Sequence, residues 1–444
     1  MATTTIVWIR RDLRVHDHPA LTAAARESER VVPVFVLDDR LLRGRFPSEP
    51  REWFLLESLR ELRGALRARG GDLAVRHGAP ERELPELARE AGASAVHFAS
   101  DVSPFATARD ARVEAALREA GVETVRHPGT FVADVGAVKP YTVFTPFWRA
   151  WRELPRREVH GAPRGLAFPS SLRAGEIPRA ACPLEDPIGM PGEKAARARM
   201  HTFIRDGLDR YDERHDLLAG GTSELSPYLH FGCLSARELE EKAGASAAFV
   251  RQLCWRDFYA HVLLHHPRNA RSAHQEHMDA LEWEDDDEAF AAWCEGRTGY
   301  PVVDAAMRQL RARGWMHNRG RLIVGSFLTK DLHIDWRRGE AHFMRLLLCG
   351  DEAQNNGNWQ WVTSVGVDPA PYFRRLYNPV LQQQRHDPDG RYVRRWVPEL
   401  RDVPLEHLAE PWRSDAAPDY PAPIVDHARE RQRAIARYRW LSAG

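Results

Sequence analysis

Over its first 130 residues the chain alternates short apolar runs with amphipathic stretches, and that alternation leaves few folds open. Thr5–Ile9, Val31–Leu37, Leu73–Arg76, Ala95–Phe98 and Glu123–Val125 read as buried strands. Between them His18–Arg26, Arg51–Arg69, Glu81–Glu90 and Pro104–Ala120 carry helical periodicity. Pro19 suits a first helical turn, with Asp17 as its expected cap, and Gly70-Gly71, Gly92 and Gly121 mark helix ends. The pattern predicts a doubly wound parallel sheet, Rossmann-like in plan. No GxGxxG follows the first strand, so the usual dinucleotide fingerprint is missing.

A chain of 444 residues exceeds one simple core, so a second domain is expected. From Phe131 to Pro191 periodicity fades and prolines accumulate, as in a connector, although Phe144–Trp151 is aromatic enough to pack on something. From Glu193 helical patterns dominate: Met200–Tyr211, Ser235–Lys242, Ala248–His265, Glu288–Cys294, Val302–Arg313, Asn318–Asp331, Glu340–Leu348 and Val425–Trp440. The expected division is 1–130 (α/β), 131–191 (connector) and 192–444 (all-α). Formal net charge is zero, so a nucleic-acid face would have to be a local patch. Five scattered cysteines without C-x-x-C spacing suggest neither a disulfide framework nor a zinc site. No signal peptide and no apolar run of roughly 20 residues is evident, which points to a cytoplasmic protein without a membrane span.

The segment from Tyr300 to Trp361 interleaves Asn318, Arg319, Arg321, Asp351 and Asn355 with Trp315, Trp336, Trp359 and Trp361. Flat rings beside fixed hydrogen-bonding groups suit an aromatic ligand. Trp359 and Trp361 lie two apart, roughly 200° round a helix, so they face different environments. Thr222, Ser223 and Ser226 follow two glycines and could bind phosphate without a lysine; by the residues alone a plain helix cap is the commoner reading. Three tryptophans in a core would likewise be ordinary.

Several motifs, in order, resemble the photolyase/cryptochrome family over essentially the whole chain. They are Val-Trp-Ile-Arg-Arg-Asp-Leu-Arg (7–14), Gly-Thr-Ser-Glu-Leu-Ser-Pro-Tyr-Leu (221–229), Trp-Arg-Asp-Phe-Tyr (255–259), the 300–361 block, Tyr377-Asn378-Pro379 and the segment from Tyr420 to Val425. The resemblance is greatest to class I cyclobutane pyrimidine dimer photolyases. It implies an N-terminal antenna-binding sheet domain and a C-terminal helical domain that buries FAD.

By that resemblance Tyr211, Thr222, Ser223, Glu224, Leu225, Ser226 and Arg256 hold the cofactor's phosphate side. Arg321, Cys349, Gly350, Asp351 and Asn355 surround its ring. Trp359, Trp336 and Trp283 form an electron relay to the surface. Gln252, Trp255, Asn318 and Trp361, with Asn355, form the catalytic cavity, and His215, Tyr259, Arg319 and Gln382 join Gln252, Trp255 and Asn318 in holding UV-damaged DNA. Arg51, Asp101 and Arg109 resemble the antenna site of members that bind an 8-hydroxy-deazaflavin, with a folate (methenyltetrahydrofolate) as the alternative.

The implied activity is light-driven splitting of cyclobutane dimers by an electron from excited, reduced FAD, in a monomer. The chain departs from the dimer-repairing pattern at Gln252 (usually Glu), Leu322 (often Met) and Cys349 (usually Asp), and Glu352 and Gln354 replace smaller or apolar residues. Gln252 is what six-four photolyases carry, whereas Asn318 after His317 goes with dimer repair. A cryptochrome-like photoreceptor and a six-four photolyase are the alternative readings.

Overall fold

The computed structural model describes residues 3–368 and 372–443. Five parallel strands, β1 (Thr4–Ile9), β2 (Arg30–Leu37), β3 (Ala74–His77), β4 (Ala95–Ala99) and β5 (Glu123–His127), form one sheet in the order β3-β2-β1-β4-β5. β1 is buried along its whole length, as its unbroken apolar run requires. It pairs with β2 on one side (Thr4 opposite Arg30) and with β4 on the other (Thr5 opposite Ala95). Strand order reverses between β1 and β4, so their carboxyl ends, at Arg10–Arg11 and Asp101, flank the crevice where such sheets take ligands.

The expected strands and helices of this half are all present, with one difference in chemistry. The helix Pro19–Glu27 is capped by His18, whose Nδ1 accepts from Leu21 N–H at 3.2 Å. Asp17 is no cap: it is drawn off by Arg157 and Ser235. The expected helix Met200–Tyr211 is also corrected. A helix runs from Glu193 to Asp206, stops at Gly207, and a single turn follows from Tyr211 to Arg214.

The connector is not featureless, because Phe144–Glu153 forms a helix against the long helix Ala247–His265. Asp257, fully buried there, accepts from Val132 N–H, Ala133 N–H and Trp151 Nε1. Burial pushes its carboxyl up to about 6 against the pull of Arg256. His261 on the same helix accepts from Tyr141 N–H at 2.9 Å. These bonds seat the connector on the helical half and place its aromatic face where it matters below. Among the described residues no helix is long and apolar enough to cross a membrane.

Candidate active site

Three helices, Asn318–Lys330, Trp336–Leu346 and Glu352–Thr363, bring the polar residues of the 300–361 block together. Arg321 donates through Nε to Met316 O (2.9 Å) and through Nη2 to Cys349 Sγ (3.3 Å). Asn355 donates to the Glu340 carbonyl oxygen (3.0 Å), and Asn356 to Glu340 Oε1 (3.1 Å). The turn Cys349-Gly350-Asp351 faces two ways. Cys349 meets Arg321, while Asp351 caps the helix Glu352–Thr363 through Gln354 N–H and pairs with Arg11 of the sheet domain. The sequence grouping of Arg321, Asp351 and Asn355 round one ring is thus split, with Asp351 turned toward the other domain.

Glu340 supports both asparagines, and burial raises its carboxyl to about 7. A raised carboxyl means that the folded chain binds more protons than the unfolded one between about pH 4.5 and 7, so stability falls as pH rises through that window. Glu340→Gln keeps the acceptor for Asn356 and removes the charge. The variant is expected to gain on the wild type by up to about 3 kcal/mol at pH 8 and to show no gain below about pH 4.5, measured by denaturant melts across pH.

The loop after Gly221 has backbone that only certain residues adopt: Gly221 at φ +86° and Glu224 at φ +53°. Glu224 is held in that conformation by Arg199 and Arg313 (3.2 Å), so its carboxylate serves the loop. Leu225 is core, Ser226 Oγ accepts from Trp315 Nε1 at 3.2 Å, and Tyr211 stacks on His215. Thr222 and Ser223 instead line a cleft of about 500 Å³ with Arg199, Arg210 and Arg214. Hydroxyls with the guanidinium groups of Arg210 and Arg214 are a donor set for phosphate, while Arg199 is held by Glu224 and the Ile188 carbonyl. Arg256 is spoken for elsewhere, donating to the carbonyls of Thr130 and Leu229.

Trp359 and Trp361 separate as their spacing demands. Trp359 is buried against Phe343 (5.1 Å between ring centroids) and Trp293 (6.2 Å), in space left by Gly339, where a Cβ would collide with the indole. Trp336 is buried one turn before Gly339 on the same helix, and Trp283 is partly exposed. Trp361 is partly exposed; its Nε1 donates to Asp368 Oδ2 at 2.8 Å and Arg375 lies over its ring at 4.2 Å.

Trp255 is also partly exposed and is backed by Phe144, stacked at 3.6 Å with planes 3° apart. Tyr259, one turn further on, has its ring 5.7 Å from Trp255 and its hydroxyl in the field of Arg375 and Asp368. Gln252 and Asn318 are exposed, and His215, Arg319 and Gln382 are partly so. Arg319 pairs with Asp216 at 2.7 Å. Burial takes the neighbouring His317 down to about 4, so it is neutral at pH 7. Sequence reasoning missed Phe144, Trp293, Asp368 and Arg11. The aromatic cluster in the connector was the signal for Phe144, and the 7–14 motif held Arg11; Trp293 and Asp368 had none.

At the sheet's switch point a cavity of about 290 Å³ lies between the domains, lined by Trp8, Arg11, Arg51, Asp101, Arg109 and Asp351 among others. Arg51, Asp101 and Arg109 therefore do come together. Burial alone would raise Asp101, but Arg11, Arg10 and Arg109 outweigh it and hold the carboxyl low. Burial brings Arg51 down to about 10; it donates to the carbonyls of Met344, Leu347 and Phe46.

Residues 5–164 match the family model described as DNA photolyase, and residues 249–440 match the FAD binding domain of DNA photolyase. A deoxyribodipyrimidine photo-lyase of Streptomyces griseus is 42% identical over 451 residues, covering 97% of this chain and 98% of that one. The chain belongs to the DNA photolyase family. The fold agrees: a class III photolyase from Agrobacterium tumefaciens superposes with a TM-score of 0.91 at 34% identity, covering 100% and 98% of the two chains. A photolyase from Sulfolobus tokodaii whose structure holds two FAD molecules gives 0.89 at 32% identity, covering 98% and 100%. The helical half of this photolyase is accordingly an FAD-binding domain, and the donor set around Thr222 and Ser223, with the thinly partnered Arg321, fits that group.

Proposed function

We propose that this photolyase repairs cyclobutane pyrimidine dimers in DNA under blue light. The observation that carries the reading is the pair of half-buried tryptophans, Trp255 and Trp361. Each is backed on one face, by Phe144 and by Arg375, and Tyr259 has its ring beside Trp255 and its hydroxyl in the field of Arg375. Flat rings held from behind are suited to receive bases taken out of the stack. Gln252 and Asn318, both exposed, offer amides to base edges. His215, Arg319 and Gln382 extend the surface toward the DNA backbone, as positioning contacts without sequence preference.

FAD, when bound, supplies light absorption and the electron that splits the lesion. Thr222 and Ser223 with the nearby arginines would hold its phosphates, and Arg321 and Asn355 would flank its ring. Arg321, whose charge meets a thiol where the resembling enzymes have a carboxylate, remains available to balance negative charge on that ring. The interdomain cavity would take the antenna. Its Trp8 and Phe105 walls and its Arg51, Asp101 and Arg109 lining suit a planar heteroaromatic with an acidic oxygen, which favours an 8-hydroxy-deazaflavin over a folate.

The deciding experiment exposes reduced protein to blue light with an oligonucleotide bearing one thymine cyclobutane dimer, beside a dark control and a six-four substrate. Light-dependent loss of the dimer is the expected result. Loss of the six-four product alone would transfer the reading to that lesion. Loss of neither, with FAD bound, would leave the reading of a cryptochrome-like photoreceptor.

A further inference from the structure

Arg375 is an odd residue to find sealed in a face meant for DNA: it is 2% exposed, although Arg374 beside it is exposed. Both of its terminal nitrogens are engaged. Nη1 reaches Trp361 O at 3.0 Å and Nη2 reaches Asp368, while the guanidinium lies over the Trp361 ring. Asp368 in turn accepts from Trp361 Nε1. The three residues close a ring of contacts in which one side chain has its carbonyl, its single N–H and one face fixed.

The anchorage continues behind it. The Arg375 carbonyl accepts from Lys330 Nζ (2.9 Å) and Ser326 Oγ (3.0 Å), and Lys330 also donates to Val362 O at 2.7 Å. Lys330 is fully buried, and that burial drives its amine well below the usual lysine range. The last turn of the helix that carries Trp361 is thereby tied to the strand of chain that carries Arg375. An indole free at χ1 and χ2 would present several surfaces to a ligand; this one presents a single surface.

We propose that Arg375 and Asp368 are positioning residues that lock Trp361 in one orientation, and that this lock sets how well the protein tells a pyrimidine dimer from intact DNA. The proposal rests on the reading of Trp361 as a wall of the lesion cavity. It separates two roles an arginine here could have. A phosphate contact strengthens binding to any duplex and steepens its salt dependence. A lock acts on the lesion alone.

The test uses the FAD-loaded full chain in the dark, with a duplex carrying one thymine dimer and the same duplex undamaged. Asp368→Ala is expected to weaken binding of the dimer duplex about tenfold and to leave the intact duplex unchanged. Asp368→Asn, which keeps an acceptor for the indole N–H, is expected to stay within about threefold of wild type. Removing an acidic group near DNA would, by charge alone, tighten both duplexes. Equal tightening, equal weakening or no change in Asp368→Ala overturns the proposal.

If that variant melts, Arg375→Met is measured in its place with the same expectation. A second readout needs no DNA: protein labelled with 5-fluorotryptophan, its Trp361 resonance assigned by its absence in Trp361→Phe. One narrow fluorine line in the wild type and a broadened or doubled line in Asp368→Ala support the lock, and an unchanged line overturns it. Should the wild type show no preference for the dimer, the repair reading falls, while the fluorine spectrum still decides the lock.

Discussion

Trp359→Phe is expected to slow light-driven reduction of the bound flavin by about tenfold or more, equivalent to at least about 1.4 kcal/mol on the barrier. Of the tryptophans in the helical half, Trp359 is buried beside Asn355 on the same helix, where Asn355 is expected to meet the flavin ring. Phenylalanine keeps the packing against Phe343 but gives up an electron far less readily than indole. From Trp359 two outward routes are expected. The resemblance implies one by Trp336 toward the partly exposed Trp283; the other would pass to Trp293, 6.2 Å away.

A relay has to end where the oxidised ring meets solvent. Trp293 is fully buried, its Nε1 donates to Val324 O, and its stacked neighbours are phenylalanines. Trp336→Phe is therefore expected to match Trp359→Phe, whereas Trp293→Phe stays within about threefold of wild type. Absorbance of the flavin during illumination with a thiol reductant measures all three. Equal slowing in the Trp293 variant would move the exit to that branch, and an undiminished rate in Trp359→Phe would remove the relay altogether. The flavin content of each variant is read first, since a large-to-small change in a core can itself cost about 1–3 kcal/mol.

What the sequence made legible follows from range. The sheet was readable because its central strands are local apolar runs and most of its helices end at or just before a glycine, so no partner had to be known. β5 (Glu123–His127) forms where expected but, carrying Glu123, Arg126 and His127, is not buried. The opposite faces of Trp359 and Trp361 were readable for the same reason: helical geometry alone separates them. The Asp17 cap failed one step beyond that range. His18 offers the same acceptor, and Asp17 is claimed by Arg157 from the connector.

Phe144 shows the limit from another side. Its aromatic segment was visible, but its stacking on Trp255 depends on how Asp257 and His261 seat the connector, which no periodicity records. Arg256 illustrates the reverse error. A positive residue next to a key tryptophan suggests a ligand contact, yet burial forces it to satisfy backbone carbonyls first.

The longest-range case is the one with the largest expected cost. Asp351→Ala is expected to destabilise the protein by roughly 2–3 kcal/mol, because it takes the nearest carboxylate from a partly buried arginine and uncaps a helix together. Asp351 pairs with Arg11 across 340 positions of sequence, from the flavin-side turn of the helical domain to the carboxyl end of β1. Burial by itself would raise its carboxyl; Arg11, His230 and Arg256 reverse this and hold it well below the usual carboxylate range. A depressed carboxyl contributes stability that is present above its unfolded value and is lost as pH falls below about 4. Asp351→Asn keeps an acceptor for the Gln354 N–H and for Arg11 but has no charge. It should therefore lose less at pH 7 than Asp351→Ala, and it should lack the acid-side decline that the wild type owes to this pair.

Denaturant melts of the three proteins from pH 3 to 8 read both effects. If Asp351→Asn were as damaging as Asp351→Ala, the charge would outweigh the cap. If neither variant lost stability, Asp101, 3.7 Å from Arg11, would be sufficient to hold that arginine without Asp351. The same turn presents Cys349 to Arg321, so the cost of breaking the bridge extends to the flavin side: one short segment fixes both the wall of the interdomain cavity and the partner of Arg321. A carboxylate two residues from the flavin's expected neighbour is thus spent on joining the domains, and a thiol is left to meet the arginine.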